Sequence, residues 1–128
     1  MRYDLARHNI TVCNRCVDPR LGTPAGATLK TNLVALLAND ERESLCIEYV
    51  GCMAGCGRPT AVAFTAPGKA TYLFGDIDPA TDAPDLLAFA RLYRMLPDGW
   101  CNEGQRPRAL AGKTLARVPA VRAMDAAT

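Results

Sequence analysis

Four cysteines in two close pairs are the residues of this 128-residue chain best suited to chemistry. The first pair, Cys13 and Cys16, has the spacing C-x2-C, and the second pair, Cys52 and Cys56, has the spacing C-x3-C. Two sulfurs this close in sequence can bind one metal atom, and four thiolates are the ligand set of a tetrahedral zinc ion or of a two-iron cluster. The spacing therefore predicts a metal centre with these four cysteines as ligands.

Three occupants of this centre are possible: a [2Fe–2S] cluster, a zinc ion, or no metal if the first pair is a redox dithiol. A dithiol belongs at a helix N-terminus, whereas Cys16 is followed by a loop of about ten residues. A structural zinc is less needed because the chain is 49% hydrophobic and can build its own core. Glycines surround the second pair, namely Gly51, Gly55 and Gly57. They would let backbone N–H groups approach the sulfurs of a cluster. This favours the cluster without excluding zinc or a dithiol.

Composition predicts one cytoplasmic domain spanning residues 1–128. The N-terminus lacks the apolar run of a signal peptide, and clustered cysteines in a reducing compartment indicate metal or redox chemistry. No stretch approaches the ~20 apolar residues of a membrane span, so no membrane partner is expected. Aromatic and basic residues are not interleaved, which argues against nucleic-acid binding. From about residue 102 the chain is basic, and we expect a solvated, partly ordered tail there.

The cysteine pairs must be positioned by elements that the hydrophobic pattern predicts. Strands are expected where β-branched or alternating apolar residues occur, and helices where leucines and aromatics recur at helical spacing. A strand over 8–12 leads into the first pair, a loop covers 17–26, and a helix covers about 27–38. A strand over 45–49, with Leu45, Ile47 and Tyr49 on its buried face, leads toward the second pair. Then come a hairpin of 60–65 with 70–74, a helix over 82–96 and a short helix within 110–118. The helix over 82–96 has an apolar stripe of Leu86, Phe89, Ala90, Tyr93 and Leu96.

This element order is that of an α/β, thioredoxin-like fold, β-α-β-β-β-α, with a mixed central sheet and helices packed on it. The first cysteine pair directly follows the first long strand, and the second pair directly follows the second long strand. Because these strands are expected to be parallel neighbours, their ends should meet at one edge of the sheet and bring the two pairs together.

Other polar residues have simpler expected roles. Cys46 should be a small buried hydrophobe within its strand, Cys101 a free surface thiol, and His8 a surface residue. Asp76 and Asp78 fit ordinary turn chemistry, so no metal is assigned to them. Arg15 and Arg58 flank the cysteine pairs and are placed to offset the negative charge of a four-thiolate site.

The central segments Val50–Phe64 and Ala66–Asp76 carry a specific residue pattern, which Val12–Cys16, Pro97–Trp100 and Arg106-Pro107 continue. In these segments the chain resembles a bacterial family of small predicted metal-binding proteins of unknown function, over about residues 9–119. That family is similar to the thioredoxin-like [2Fe–2S] ferredoxins. The resemblance implies that the cluster ligands are Cys13, Cys16, Cys52 and Cys56.

The chain departs from that pattern in two places. Its first pair is tighter than the spacing usual in those ferredoxins, which keeps zinc as the alternative. Thr60 stands where family members often have a further cysteine. The resemblance also implies a supporting role in aerobic cobalamin synthesis or cobalt handling.

The resulting expectation is a small ferredoxin-like electron carrier, not an enzyme, that exchanges one electron between a reductase and an acceptor enzyme. The alternative is a zinc- or cobalt-binding metal-handling or docking module without redox activity. A thiol-disulfide oxidoreductase is the third hypothesis. A homodimer is also expected, because thioredoxin-like ferredoxins often pair.

Overall fold

The structure is a computed structural model that describes residues 8–13, 17–18, 23–51, 58 and 60–120. Its strands and helices are, in chain order, β1 (His8–Cys13), β2 (Val17–Asp18), β3 (Thr23–Pro24), α1 (Gly26–Leu36), β4 (Leu45–Val50), β5 (Val62–Thr65), β6 (Thr71–Phe74), α2 (Ala83–Met95) and β7 (Thr114–Val118). Short 3-10 helices cover Asn39–Glu41, Glu103–Gln105 and Arg108–Leu110.

Five of the strands form one mixed sheet in the order β4-β1-β5-β6-β7. β1 and β4 run parallel, and every other neighbouring pair in this sheet is antiparallel. The crossover from β1 to β4 passes through α1, as a parallel connection requires. The fold is thus α/β with helices packed on a mixed sheet, as the sequence predicted.

The core lies between this sheet and the two helices. Alternate residues of β1, Ile10 and Val12, point to the helices and are fully buried. α1 contributes Leu29 and Leu33 to the same cluster, and both helices contact β1 and each other. Burying an aliphatic side chain of this size stabilises the fold by about 1.5–3 kcal/mol. This packing therefore determines which face of β1 lies against the helices.

Aromatic rings fill the centre of this core. Phe64 of β5 lies edge-on to Phe74 of β6 and to Phe89 of α2, with ring centroids 5.7 and 4.8 Å apart. Tyr72 and Tyr93 complete the group. The predicted apolar stripe is confirmed for Leu86, Phe89, Ala90 and Tyr93, which are buried, whereas Leu96 follows the helix and is partly buried against the same core.

Three local predictions were wrong. The segment predicted as a loop over 17–26 contains the short antiparallel pair β2–β3. The helix expected within 110–118 is instead strand β7, which pairs with β6 after a turn at Gly112, whose φ is +74°. Tyr49 was expected on the buried face of β4, but its side chain is 43% exposed and carries the Lys30 ammonium 4.7 Å above its ring.

The basic segment from residue 102 also differs from expectation. Over the described residues it is not a solvated tail, because β7 forms an edge of the sheet and Leu110 is fully buried. Hydrogen bonding to β6 outweighs the weak local helical pattern, as tertiary pairing commonly does.

Among the described residues, no helix combines the length and the apolar character that crossing a membrane would require.

Candidate metal centre

The ends of β1 and β4 meet at one edge of the sheet. Cys13 is the last residue of β1 and its Cα partner is Val50, the last residue of β4. The Cys13 Sγ lies 4.0 Å from the carbonyl oxygen of Gly51, and Cys52 follows Gly51 directly in sequence. Parallel pairing therefore brings the start of the second cysteine segment close to Cys13. The strand ends at Cys13, Val50 and Gly51 form the cysteine edge of the sheet.

Cys13 itself is fully buried at this edge. Its backbone N–H donates to the carbonyl oxygen of Ala61 at 3.0 Å, and its side chain packs with Ala61 and Leu73. A thiolate enclosed by apolar groups needs a compensating cation. Cys13 is therefore not an exposed reactive thiol, and its burial is compatible with a metal ligand.

The other predicted ligands, Cys16, Cys52 and Cys56, lie outside the described residues, as do Met53 and Arg15. Within the described part of the chain, no three His, Cys, Asp or Glu side chains come together as a metal site would need. The four-cysteine ligand set thus stays a prediction, and Cys13 is the one member of it that lies within the described residues.

The chain downstream of Cys56 is firmly anchored. Asp76 N–H donates to the carbonyl oxygen of Arg58 at 2.8 Å, and Ile77 N–H donates to that of Thr60 at 3.2 Å. Gly75 is required beside this contact, because a Cβ there would lie 2.8 Å from the Arg58 carbonyl oxygen. These bonds hold residues 58 and 60, which follow the C-x3-C segment, against the turn after β6.

The Arg58 side chain strengthens the same contact. Its Nε lies 2.6 Å from Asp76 Oδ2, and its Nη2 donates to the Gly112 carbonyl oxygen at 2.8 Å. The sequence suggested that Arg58 offsets the charge of a thiolate site, but in the structure a carboxylate already pairs with the guanidinium. Its net effect on the cysteine edge is therefore smaller than that of a lone cation. Asp76 has φ +56°, a left-handed conformation in which this ion pair holds it.

Asp78 and Asp82 act within the turn before α2, as the sequence predicted for Asp78. Asp78 Oδ1 accepts from the N–H of Ala80 at 2.9 Å, and Asp82 Oδ2 accepts from the N–H of Asp78 at 2.8 Å. Asp82 also pairs with Lys113 at 2.7 Å. Both carboxylates thus have structural partners in the fold.

Thr60 provides a test of whether the edge fits a cluster. The residue is fully buried, and among the described residues its Oγ1 has no hydrogen-bond partner. A buried hydroxyl without a partner costs about 1–3 kcal/mol. Thr60 directly precedes Ala61, whose carbonyl oxygen accepts from the Cys13 N–H, so a buried hydroxyl without a described partner lies one residue from the cysteine edge. The sulfur-only donor set that the sequence predicts has the chemistry of an iron–sulfur group or of a zinc site.

Two residues that were predicted at the surface, Cys101 and His8, are buried in the structure. Cys101 is 2% exposed, with its Sγ 3.4 Å from Tyr72 Oη. Its backbone N–H donates to the same Tyr72 oxygen at 3.0 Å. Burial raises the pKa of Tyr72 above its ordinary value. The apolar run of β6 indicated a buried Tyr72, but its partner lies 29 residues further along the chain.

The second is His8, which is 6% exposed. Its Nε2 accepts from the Lys69 ammonium at 2.9 Å, since an ammonium can only donate. Lys69 also donates to the Tyr93 carbonyl oxygen at 2.7 Å at the end of α2, and burial lowers the pKa of this lysine. His8 is therefore connected through Lys69 to the C-terminal end of α2. It lies at the end of β1 opposite Cys13.

Cys46 is only partly buried and lies in β4 between the buried Leu45 and Ile47. Its side chain is therefore on the sheet face away from the helices, not in the core as the sequence suggested.

The family model described as "Protein of unknown function (DUF1636)" matches residues 10–120. The chain belongs to this family. No curated protein sequence matches it. Solved structures do match it. One is the structure of a thioredoxin-like [2Fe–2S] ferredoxin from Aquifex aeolicus, with a TM-score of 0.53 and 15% identity over 91% of this chain and 98% of that one.

Another is the 1.5 Å crystal structure of the wild-type thioredoxin-like [2Fe–2S] ferredoxin from Aquifex aeolicus. Its TM-score is 0.53, with 14% identity over 86% of this chain and 97% of that one. At this identity the similarity establishes the fold, which is thioredoxin-like, and confirms the fold predicted from the element order.

Proposed function

We propose that this DUF1636 protein is a small ferredoxin-like electron carrier that binds a [2Fe–2S] cluster through Cys13, Cys16, Cys52 and Cys56. The observation that carries the proposal is the register of the two parallel strands. Cys13 and Val50 are paired at their ends, so the two cysteine pairs start from the same edge of the sheet. Two tetrahedral irons sharing two sulfides need four cysteine sulfurs, which is the number these pairs supply.

The residues around this edge have separable roles. β1 and β4 would set the distance between the two pairs, and the Arg58–Asp76 contact would hold the downstream end of the second. When bound, the cluster would supply a site that accepts and releases one electron. The exposure of Val50 and Gly51 supports access of a partner protein to this part of the molecule. Two partner proteins are proposed: a reductase that would supply the electron and an acceptor enzyme that would receive it.

A role in cobalamin synthesis or cobalt handling, and a cytoplasmic location, are further parts of this proposal that rest on the family resemblance and on cysteine usage. The zinc- or cobalt-binding module is the second candidate. The C-x2-C spacing of Cys13 and Cys16 supports it, because that spacing is the commonest half-site of structural zinc.

Purification without oxygen tests the proposal. A cluster protein is red-brown, contains iron and acid-labile sulfide in equal amounts, and gives an EPR signal after reduction by dithionite. A colourless protein that contains zinc or cobalt and no sulfide would support the metal-handling alternative. A metal-free protein that reduces insulin disulfides would support the oxidoreductase.

A further inference from the structure

Two arginines converge on one backbone oxygen at the far edge of the sheet. Arg117 of β7 donates from Nη1 to the carbonyl oxygen of Cys101 at 2.7 Å, and Arg106 donates from Nη2 to the same oxygen at 3.4 Å. Both side chains are partly buried. Two unit positive charges are thus held within a few ångströms of each other.

Neither guanidinium has a carboxylate partner among the described residues. The described ion pairs involve other cations, namely Arg58, Arg91 and Lys113. The acids of the same segment bond elsewhere: Asp98 Oδ1 accepts from the N–H of Trp100, and Glu103 Oε2 accepts from the N–H of Gly112. Among the described residues, the repulsion between the arginines is therefore opposed by carbonyl and hydroxyl dipoles and by the rings of Tyr72 and Trp100, but by no carboxylate.

The donors of the two arginines are only partly used by the described residues. Arg106 donates from Nη1 to Thr114 Oγ1 at 3.0 Å, while its enclosed Nε–H has no partner in the part of the chain that the structure describes. Arg117 stacks on Trp100 with its guanidinium carbon 3.6 Å from the ring centroid, and the tryptophan is 46% exposed. Stacking orients the guanidinium plane and leaves its edge free to donate.

We propose that Arg106 and Arg117 form an oxyanion-binding site, in which a phosphate or carboxylate group is held between the two guanidiniums beside Trp100. A planar guanidinium matches the oxygen spacing of either group and binds it in a fork, and a charged acceptor makes hydrogen bonds about twice as strong as neutral ones. The anion removes the repulsion between the cations. The site lies on β7 and the segment before it, separate from the cysteine edge, and does not depend on the proposed electron transfer.

Trp100 is the single tryptophan of the chain, so its fluorescence reports on this site directly. Sodium phosphate, sulfate and citrate are titrated into the full-length protein at constant ionic strength, with chloride as the balancing salt. A saturable change with one of these oxyanions, and none with chloride, is expected. Preference for phosphate and sulfate identifies a phosphate-type ligand, whereas preference for citrate identifies a carboxylate ligand.

Variants locate the site. R106Q and R117Q should each weaken binding about tenfold or more, as expected from the loss of a charge-assisted hydrogen bond. R117K, which keeps the charge but not the fork, should be weakened as well. R108Q removes an exposed arginine of the same segment and should bind like the unchanged protein.

The thermal midpoint is a second measurement for any variant whose fluorescence baseline changes. Saturating oxyanion should raise it in the unchanged protein and in R108Q, but not in R106Q or R117Q, because a ligand stabilises only the state that binds it. The proposal is overturned if no oxyanion gives a saturable signal in the unchanged protein. It is equally overturned if R106Q and R117Q bind as tightly as R108Q.

Discussion

Cys13 and Val50 end two parallel strands at the same level of the sheet, with the Cys13 Sγ 4.0 Å from the Gly51 carbonyl oxygen. This relationship joins parts of the chain that lie 37 positions apart in sequence, since Cys13 and Val50 are register partners. The hydrogen bonds of a parallel pair fix that register, and a slip by one residue would turn every side chain of β1 to the opposite face. The cysteine edge is therefore a consequence of core packing.

The ligand set can be tested by comparing cysteines within the same molecule. Cys52→Ser and Cys56→Ser should each lose most of the bound iron, because serine replaces a soft thiolate with a weakly acidic hydroxyl. Cys46→Ser changes a partly buried strand cysteine and is the matched control, which should retain iron and sulfide. Iron and sulfide analysis after purification without oxygen measures this. Equal iron loss in all three variants would contradict the assignment.

Arg58 and Asp76 should affect the reduction potential in opposite directions. Reduction adds a negative charge to the site, so Arg58→Glu should lower the potential, whereas Asp76→Asn should raise it by leaving the Arg58 cation unpaired. Because both side chains are about half exposed, solvent screening should keep each shift small. Potentiometric titration followed by visible absorption measures both. Unchanged potentials in the two variants would show that this pair lies far from the cluster.

Gly75 should resist substitution. An added Cβ would meet the Arg58 carbonyl oxygen at 2.8 Å and a Leu115 methyl group at 2.9 Å. Overpacking of this kind costs about 1–3 kcal/mol, so Gly75→Ala should lower the free energy of unfolding by that amount. Gly104→Ala is the control, since the nearest atom to its Cβ is at 3.4 Å. Urea unfolding measures both, and equal stabilities would contradict the close approach.

Glu41 should make the fold sensitive to acid. The Arg91 guanidinium, with Nε 2.7 Å away, and the N–H of Ala38 hold the pKa of this buried carboxyl down to about 2. A lowered pKa in the folded state means that the stabilisation is present above the ordinary glutamate pKa. It is then lost as the pH falls from about 4.5 toward 2.

Glu41→Gln should therefore be less stable by about 1–3 kcal/mol at neutral pH. The difference from the unchanged protein should shrink as the pH approaches 2. Glu43→Gln removes an exposed neighbouring carboxylate and serves as the control. Unfolding free energies of the unchanged protein and of both variants, measured by urea titration between pH 2 and 7, test this expectation. A difference that stays constant over that range would exclude the ion pair as its source.

Tyr72 should stabilise the fold through its hydroxyl as well as its ring. Tyr72→Phe leaves the Cys101 N–H without its acceptor in the core, which costs about 1–3 kcal/mol. Tyr49→Phe removes the hydroxyl of an exposed tyrosine and should change stability by less than about 0.5 kcal/mol. Urea unfolding compares the two, and a loss of stability as small in Tyr72→Phe as in Tyr49→Phe would contradict the role given to Tyr72.

Elements with a strong local pattern could be predicted from the sequence. β1, β4 and the β5–β6 hairpin lie where β-branched and alternating residues indicated, and α2 has the predicted buried stripe. The meeting of β1 and β4 at the cysteine edge also followed, because it depends only on two neighbouring parallel strands.

Features that depend on distant partners could not be predicted. β7 is a strand because β6 supplies its hydrogen bonds, which nothing in the sequence of 110–118 reveals. Cys101 lies in a turn-rich segment and His8 stands between two polar residues, yet Tyr72 and Lys69, which are distant in sequence, contact them. The pairing of Arg58 with Asp76 likewise depends on a turn 18 residues away.

X-ray absorption at the iron and zinc edges of the protein purified without oxygen tests the central claim most directly. We predict iron coordinated by sulfur alone, with a second iron as its next neighbour, and the loss of that iron–iron contact in Cys52→Ser. Stoichiometric zinc with sulfur ligands at about 2.3 Å, and no iron, would contradict the account.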